Sequence, residues 1–101
     1  MIRHVVLWKL DASYSEPEKA ALLKEFRTRL LELKNHIAVL KQIDVYINDT
    51  EAAKGNFDIM LDTLFQTMND VTTYQVHPQH VKVAEYVKNL KLQRAAIDFT
   101  I

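Results

Sequence analysis

Apolar and polar side chains alternate along four short stretches of the chain, and this period of two predicts four β-strands. The predicted strands are Ile2–Leu10, Val39–Ile47, Phe57–Phe65 and Arg94–Ile101. In the first strand, His4 and Trp8 share one face with aliphatic residues, while the other face is also apolar at its centre. We therefore expect the sheet to be covered on both sides.

Two further regions carry apolar residues three and four positions apart, the spacing of helices that lie against an apolar surface. Ser15 and Glu18 have the spacing of a capping box that opens the first helix. Thr67 is the predicted cap of the second region. Pro78 divides this second region, because a proline pushes the residue before it away from helical angles, and the last piece runs to about Asn89.

The resulting order, βαββαβ, is typical of the α+β ferredoxin-like fold, a four-stranded antiparallel sheet with its helices on one face. Residues 1–101 suffice for a single domain of this kind. The other face of the sheet is left bare, although its residues are apolar. We expect a second copy to cover it, so that a homodimer forms a dimeric α+β barrel whose sheets enclose a compartment reached by the His80 imidazole.

Composition excludes several classes of function. The 13 Lys and Arg residues balance the 13 Asp and Glu residues, so no net field attracts nucleic acid or anionic membranes. The chain has no cysteine, which excludes disulfides and thiolate chemistry, and its one glycine excludes the glycine-rich phosphate loops. No apolar run reaches the length of a membrane span, so we expect a cytoplasmic protein. We also expect no cofactor, because the chain has neither cysteine ligands nor a glycine-rich phosphate loop.

The strongest candidates for chemistry are His80 and Tyr74, because an imidazole can accept a proton near neutral pH and a phenol can donate a hydrogen bond. His80 heads a helical stripe of apolar residues and therefore faces the core or a cavity. Tyr74 can equally be a core residue whose hydroxyl finds water at the rim. His4 lies in mid-strand between apolar neighbours, where it either is a hydrogen-bonded core histidine or lines a pocket together with Trp8.

Two further residues have both a structural and a functional interpretation. His77, at the proline boundary, either caps the last helix or contributes to the substrate pocket. Asp58 either pairs with a histidine in that pocket or is a strand residue without a role. With His4 and His80, they offer nitrogen and oxygen ligands for a metal, but the spacing does not require one, and we predict no metal site.

The segments IRHVVLWKL, FDIMLDTLF and YQVHPQHV together resemble the stress-responsive A/B barrel proteins, or Dabb domains, over nearly the whole chain. The resemblance implies a dimeric α+β barrel in which each subunit has a small cavity beside its helices. In the plant polyketide cyclases of this family, the residues matched by Tyr74 and His80 carry an intramolecular aldol condensation, and the residue matched by His4 lines the cavity. Asp58 stands where the cyclases carry a histidine, so the resemblance does not extend to a polyketide substrate.

Three functional hypotheses follow. The first is a cofactor-independent lyase or cyclase on a small carbonyl compound, in which His80 removes a proton next to a carbonyl and Tyr74 holds the oxygen where charge develops. The second is a dimer that binds a small apolar molecule, or acts in a stress response, without turnover. The third, by analogy of fold alone, is a cofactorless monooxygenase.

Overall fold

A computed structural model describes all 101 residues. The strands are β1 (Ile2–Leu10), β2 (Gln42–Ile47), β3 (Ile59–Phe65) and β4 (Leu92–Thr100), and the helices are α1 (Glu16–Glu32), α2 (Met68–Val76) and α3 (Pro78–Lys88). All strand pairs are antiparallel, in the order β2-β3-β1-β4, which confirms the predicted α+β ferredoxin-like fold. None of the helices has the length and apolar character needed to cross a bilayer.

The helix starts lie where the capping residues predict them. The Ser15 hydroxyl accepts a hydrogen bond from the Glu18 amide at 3.2 Å, and the Glu18 carboxylate accepts one from the Ser15 amide at 2.9 Å. The Thr67 hydroxyl accepts from the Asp70 amide at 3.2 Å. His77 has extended backbone angles and separates α2 from α3, as expected for a residue that precedes a proline.

Replacing Ser15 by alanine is expected to lower the free energy of unfolding by about 1 kcal/mol, because the Glu18 amide loses its acceptor. Urea unfolding followed by circular dichroism measures this difference. Thr28→Ala is the control, since the Thr28 hydroxyl bonds only to the Lys24 carbonyl within α1 and its loss should cost little. Equal stability of the Ser15 variant and the wild type would contradict the capping role.

The second strand differs most from its prediction. It begins at Gln42 rather than Val39, because the chain first makes a turn closed by a hydrogen bond from the Leu40 amide to the Ile37 carbonyl. Leu40 is fully buried, so this turn belongs to the core. β3 starts two residues later than predicted and β4 two residues earlier.

The hydrophobic core lies between the sheet and the three helices. Phe26 of α1, Val71 of α2 and Val83 of α3 are buried against the face of the sheet that carries Trp8. The rings of Trp8 and Phe26 lie 4.7 Å apart between centroids. The helical stripes therefore cover one face of the sheet only.

The opposite surface, which we call the open face, carries no helix. Its large apolar side chains come from all four strands and are Val5, Leu7, Tyr46, Met60, Leu64, Ile97 and Phe99. Ile97 is 59% exposed and Tyr46 55% exposed. Arg3 and Asp62 form an ion pair at 2.7 Å among them. A contiguous apolar surface of this kind is typical of an interaction site.

Candidate active site

A cavity of about 420 Å³ lies between α3 and the covered face of the sheet. Its walls include His4, Val6 and Trp8 of β1, His80 and Val83 of α3, and Arg94 of β4. Nine of its 14 lining residues are hydrophobic, a composition typical of a small-molecule site with a few polar groups.

The position of this cavity corrects one prediction. We expected two sheets to enclose the compartment reached by His80, but the cavity that His80 lines lies on the helix side of the sheet, opposite the open face. The physical reason is the alternation of strand side chains, which places His4 and Trp8 on the face opposite to Val5 and Leu7. The open face and the cavity are therefore separate surfaces.

His80 lies in the first turns of α3 and contributes its ring to the cavity wall. Its Nδ1 atom is buried and has no hydrogen-bond partner. Burial lowers the pKa of the imidazole, the carbonyl of Gln75 opposes this effect, and the charges of His4 and Arg94 lower the pKa further. The ring is therefore neutral at physiological pH and able to accept a proton.

His4 is 3% exposed and lies directly opposite Asp98 in the register of β1 and β4. Its Nδ1 atom forms a short hydrogen bond with the Asp98 carboxylate. A carboxylate at Nδ1 holds a proton there and fixes the ring orientation, so that Nε2 is the nitrogen left for a ligand. No sequence pattern indicates Asp98, because only the strand register shows which β4 residue faces His4.

Tyr74 is fully buried in α2, behind the ring of His80. The ring centroids of Tyr74 and His80 are 4.5 Å apart, and those of Tyr74 and His4 are 6.2 Å apart. The Tyr74 hydroxyl has no hydrogen-bond partner, and burial raises the pKa of the phenol, which stays protonated. Contrary to the expectation that this hydroxyl reaches a ligand, Tyr74 does not line the cavity.

Asp58 and His77, the other predicted pocket residues, do not line this cavity. The Asp58 carboxylate accepts a hydrogen bond from the Leu10 amide at 2.7 Å and so holds the end of β1. The His77 Nδ1 atom accepts one from the Gln79 amide at 3.1 Å and caps α3. Both side chains satisfy backbone amides that would otherwise lack a partner.

Trp8 lies in the cavity wall, and its indole N–H is buried without a hydrogen-bond partner. No group of three or more His, Asp or Glu side chains converges anywhere in the chain. The polar groups that this otherwise apolar pocket offers to a ligand are thus two imidazoles, an unpaired indole donor, the Gln75 amide and the cations Lys88 and Arg94.

Fold and cavity define an α+β domain with a small-molecule compartment between its sheet and its last helix. The chain belongs to the Dabb family, the stress responsive A/B barrel domain, whose family model matches residues 2–101. The predicted family is thereby confirmed. No curated protein matches the sequence significantly.

Three solved structures show the same fold. A dimeric ferredoxin-like protein of unknown function from Bacteroides fragilis is 28% identical, with a TM-score of 0.90 over 99% of this chain and 95% of that one. A dimeric ferredoxin-like protein from Thermobifida fusca is 24% identical, with a TM-score of 0.79 over 99% and 90% of the two chains. The hydroxynitrile lyase of Passiflora edulis is 14% identical, with a TM-score of 0.75 over 99% and 92%.

Proposed function

We propose that this protein is a cofactor-independent enzyme of the lyase or cyclase class, acting on a small carbonyl compound in the cavity beside α3. The observation that carries the proposal is the buried, unpaired Nδ1 atom of His80 in a ring that lines an apolar cavity. A neutral imidazole in this position is a general base suited to removing a proton next to a carbonyl.

The neighbouring side chains supply the remaining roles. His4, held at Nδ1 by Asp98, presents its Nε2 atom as a second group that can exchange a proton with the substrate. Tyr74 packs edge-on against His80 and acts as a positioning residue for its ring. The apolar walls exclude water, which strengthens each of these electrostatic interactions.

Exchange of α-protons tests the proposal without knowledge of the natural substrate. In heavy water, the protein is expected to exchange the α-protons of methyl pentyl ketone faster than buffer alone, since removal of such a proton is the first step of the proposed chemistry. Proton NMR measures the loss of the α-proton signals. Exchange no faster than in buffer would contradict an enzyme of this class.

The pH profile of this exchange has an expected direction. The pKa of His80 lies below its ordinary value of 6.5, and only the neutral ring accepts a proton. The rate should therefore be constant at neutral pH and fall as the pH is lowered through the depressed pKa. A rate that begins to rise only above neutral pH would point to a different base.

We also propose that the chain forms a homodimer through its open face. The large apolar side chains on this surface, Ile97 above all, support the proposal, because exposed patches of this kind are normally covered by a partner. The relatives from Bacteroides fragilis and Thermobifida fusca are described as dimeric.

A second candidate function is binding of a small molecule without turnover. Tyr74 favours this function, because its side chain is buried and is not part of the cavity lining, so one expected donor to a reacting carbonyl oxygen is missing. Binding of methyl pentyl ketone, seen as a change in the fluorescence of Trp8, without any α-proton exchange would support this function over the enzymatic one. Trp8 is the chain's one tryptophan, so the signal reports on the cavity.

A further inference from the structure

The cavity has two chemically different ends. His4 and His80 lie at one end, while Trp8 follows His4 by four residues along β1, or roughly 13 Å. Lys88 follows His80 by eight residues along α3, or roughly 12 Å. β1 and α3 therefore both run from the end of the cavity that holds the two imidazoles to a second end, where Trp8 and Lys88 lie.

This second end is cationic. Lys88 and Arg94 both line it, and Arg94 lies directly opposite Trp8 in the register of β1 and β4. None of the 14 lining residues is an aspartate or a glutamate. The ion pairs of the chain involve other residues, so both cations lack a carboxylate partner.

The indole of Trp8 adds a third donor to this end. Trp8 is 6% exposed, and its N–H is buried without an acceptor although the ring lines the cavity. Buried donors are normally paired, because an unpaired one costs free energy. An acceptor on a ligand would pair this N–H group.

We infer that the ligand of this cavity is an apolar carboxylate whose carboxylate group binds between Trp8, Lys88 and Arg94. The inference rests on the proposed binding of a small carbonyl compound and adds the class of molecule and its orientation. The planar fork of Arg94 fits the two oxygens of a carboxylate. The Asp98 carboxylate beside His4 repels a second carboxylate from the imidazole end, so the ligand's carbonyl group points there.

Calorimetric titration with decanoate and decanol, which share an apolar chain and differ in charge, tests the inference. Decanoate is expected to bind the wild type about tenfold more tightly than decanol, because two charged donors and the indole N–H meet its carboxylate. The double variant Lys88→Gln/Arg94→Gln should lose this tenfold preference and keep the affinity for decanol. The control Lys82→Gln/Arg27→Gln removes the same charges from exposed positions outside the cavity and should leave both affinities unchanged.

Three results would overturn the inference. Equal affinity of the wild type for decanoate and decanol would exclude a carboxylate site, and tighter binding of decyl phosphate than of decanoate would assign the site to phosphates. An equal loss of decanoate affinity in the control variant would show a general effect of net charge. Each of these results leaves the proposed enzymatic function standing, because that function fails only if the α-proton exchange of methyl pentyl ketone is absent.

Discussion

Replacing His80 by alanine is expected to slow the α-proton exchange of methyl pentyl ketone by about hundredfold or more, the usual effect of losing a general base. Burial keeps the His80 imidazole neutral in the cavity wall by lowering its pKa, and its Nδ1 atom has no hydrogen-bond partner in the protein. Binding of the ketone should persist, because the apolar walls that contact its chain are unchanged. Proton NMR gives the exchange rate, and Trp8 fluorescence gives the affinity.

His36→Ala is the matched control for this variant. His36 lies at the end of the first helical region, exposed and paired with Glu32 at 3.4 Å, and it does not line the cavity. Its loss removes one imidazole from the chain without altering the site, and the exchange rate should not change. A similar loss of exchange in both variants, or none in the His80 variant, would show that His80 is not the base.

Replacing Ile97 by aspartate is expected to convert the homodimer to a monomer. Ile97 lies on the open face in the edge strand β4, opposite Val5 of β1, and is 59% exposed. A charge buried there in each protomer, without a partner, costs about 2 kcal/mol or more per side, which weakens the dimer by more than about a hundredfold. Sedimentation velocity at micromolar concentration should show the dimer mass for the wild type and the monomer mass for the variant.

Val81→Asp controls for a general effect of adding a charge. Val81 is 42% exposed on α3 and lies outside both the open face and the cavity wall, so its substitution should leave the dimer intact. Dissociation of both variants would indicate loss of folding rather than loss of a specific interface, and circular dichroism distinguishes the two. A wild type that sediments as a monomer would exclude the proposed dimer altogether.

Local chemistry explains why so much of the fold was predictable. The capping box of Ser15 and Glu18 and the proline after His77 act within a few residues, and the structure places helix boundaries at these positions. The alternation in β1 likewise determines which face carries His4 and Trp8. Predictions were weaker at the start of β2, where burial of Leu40 in a turn overrides the alternating pattern.

The site was less predictable, because it depends on contacts between distant segments. Pairing of Asp98 with His4 requires the register of β1 and β4, which no local pattern supplies. Tyr74 has the residue type of an active-site donor, yet its position on α2 places it behind His80. The carboxylate of Asp58 binds the end of β1, a role visible only once the neighbouring strand is in place.

The histidine ring signals provide the most direct test of the central claim, that the ligand site is the compartment beside α3 that His4 and His80 line. In a titration with methyl pentyl ketone, NMR spectra of histidine-labelled protein should show the ring signals of His4 and His80 shifting with the ligand, while that of His36 stays fixed. Shifts confined to backbone signals of the open face, with both cavity histidines unaffected, would contradict the claim.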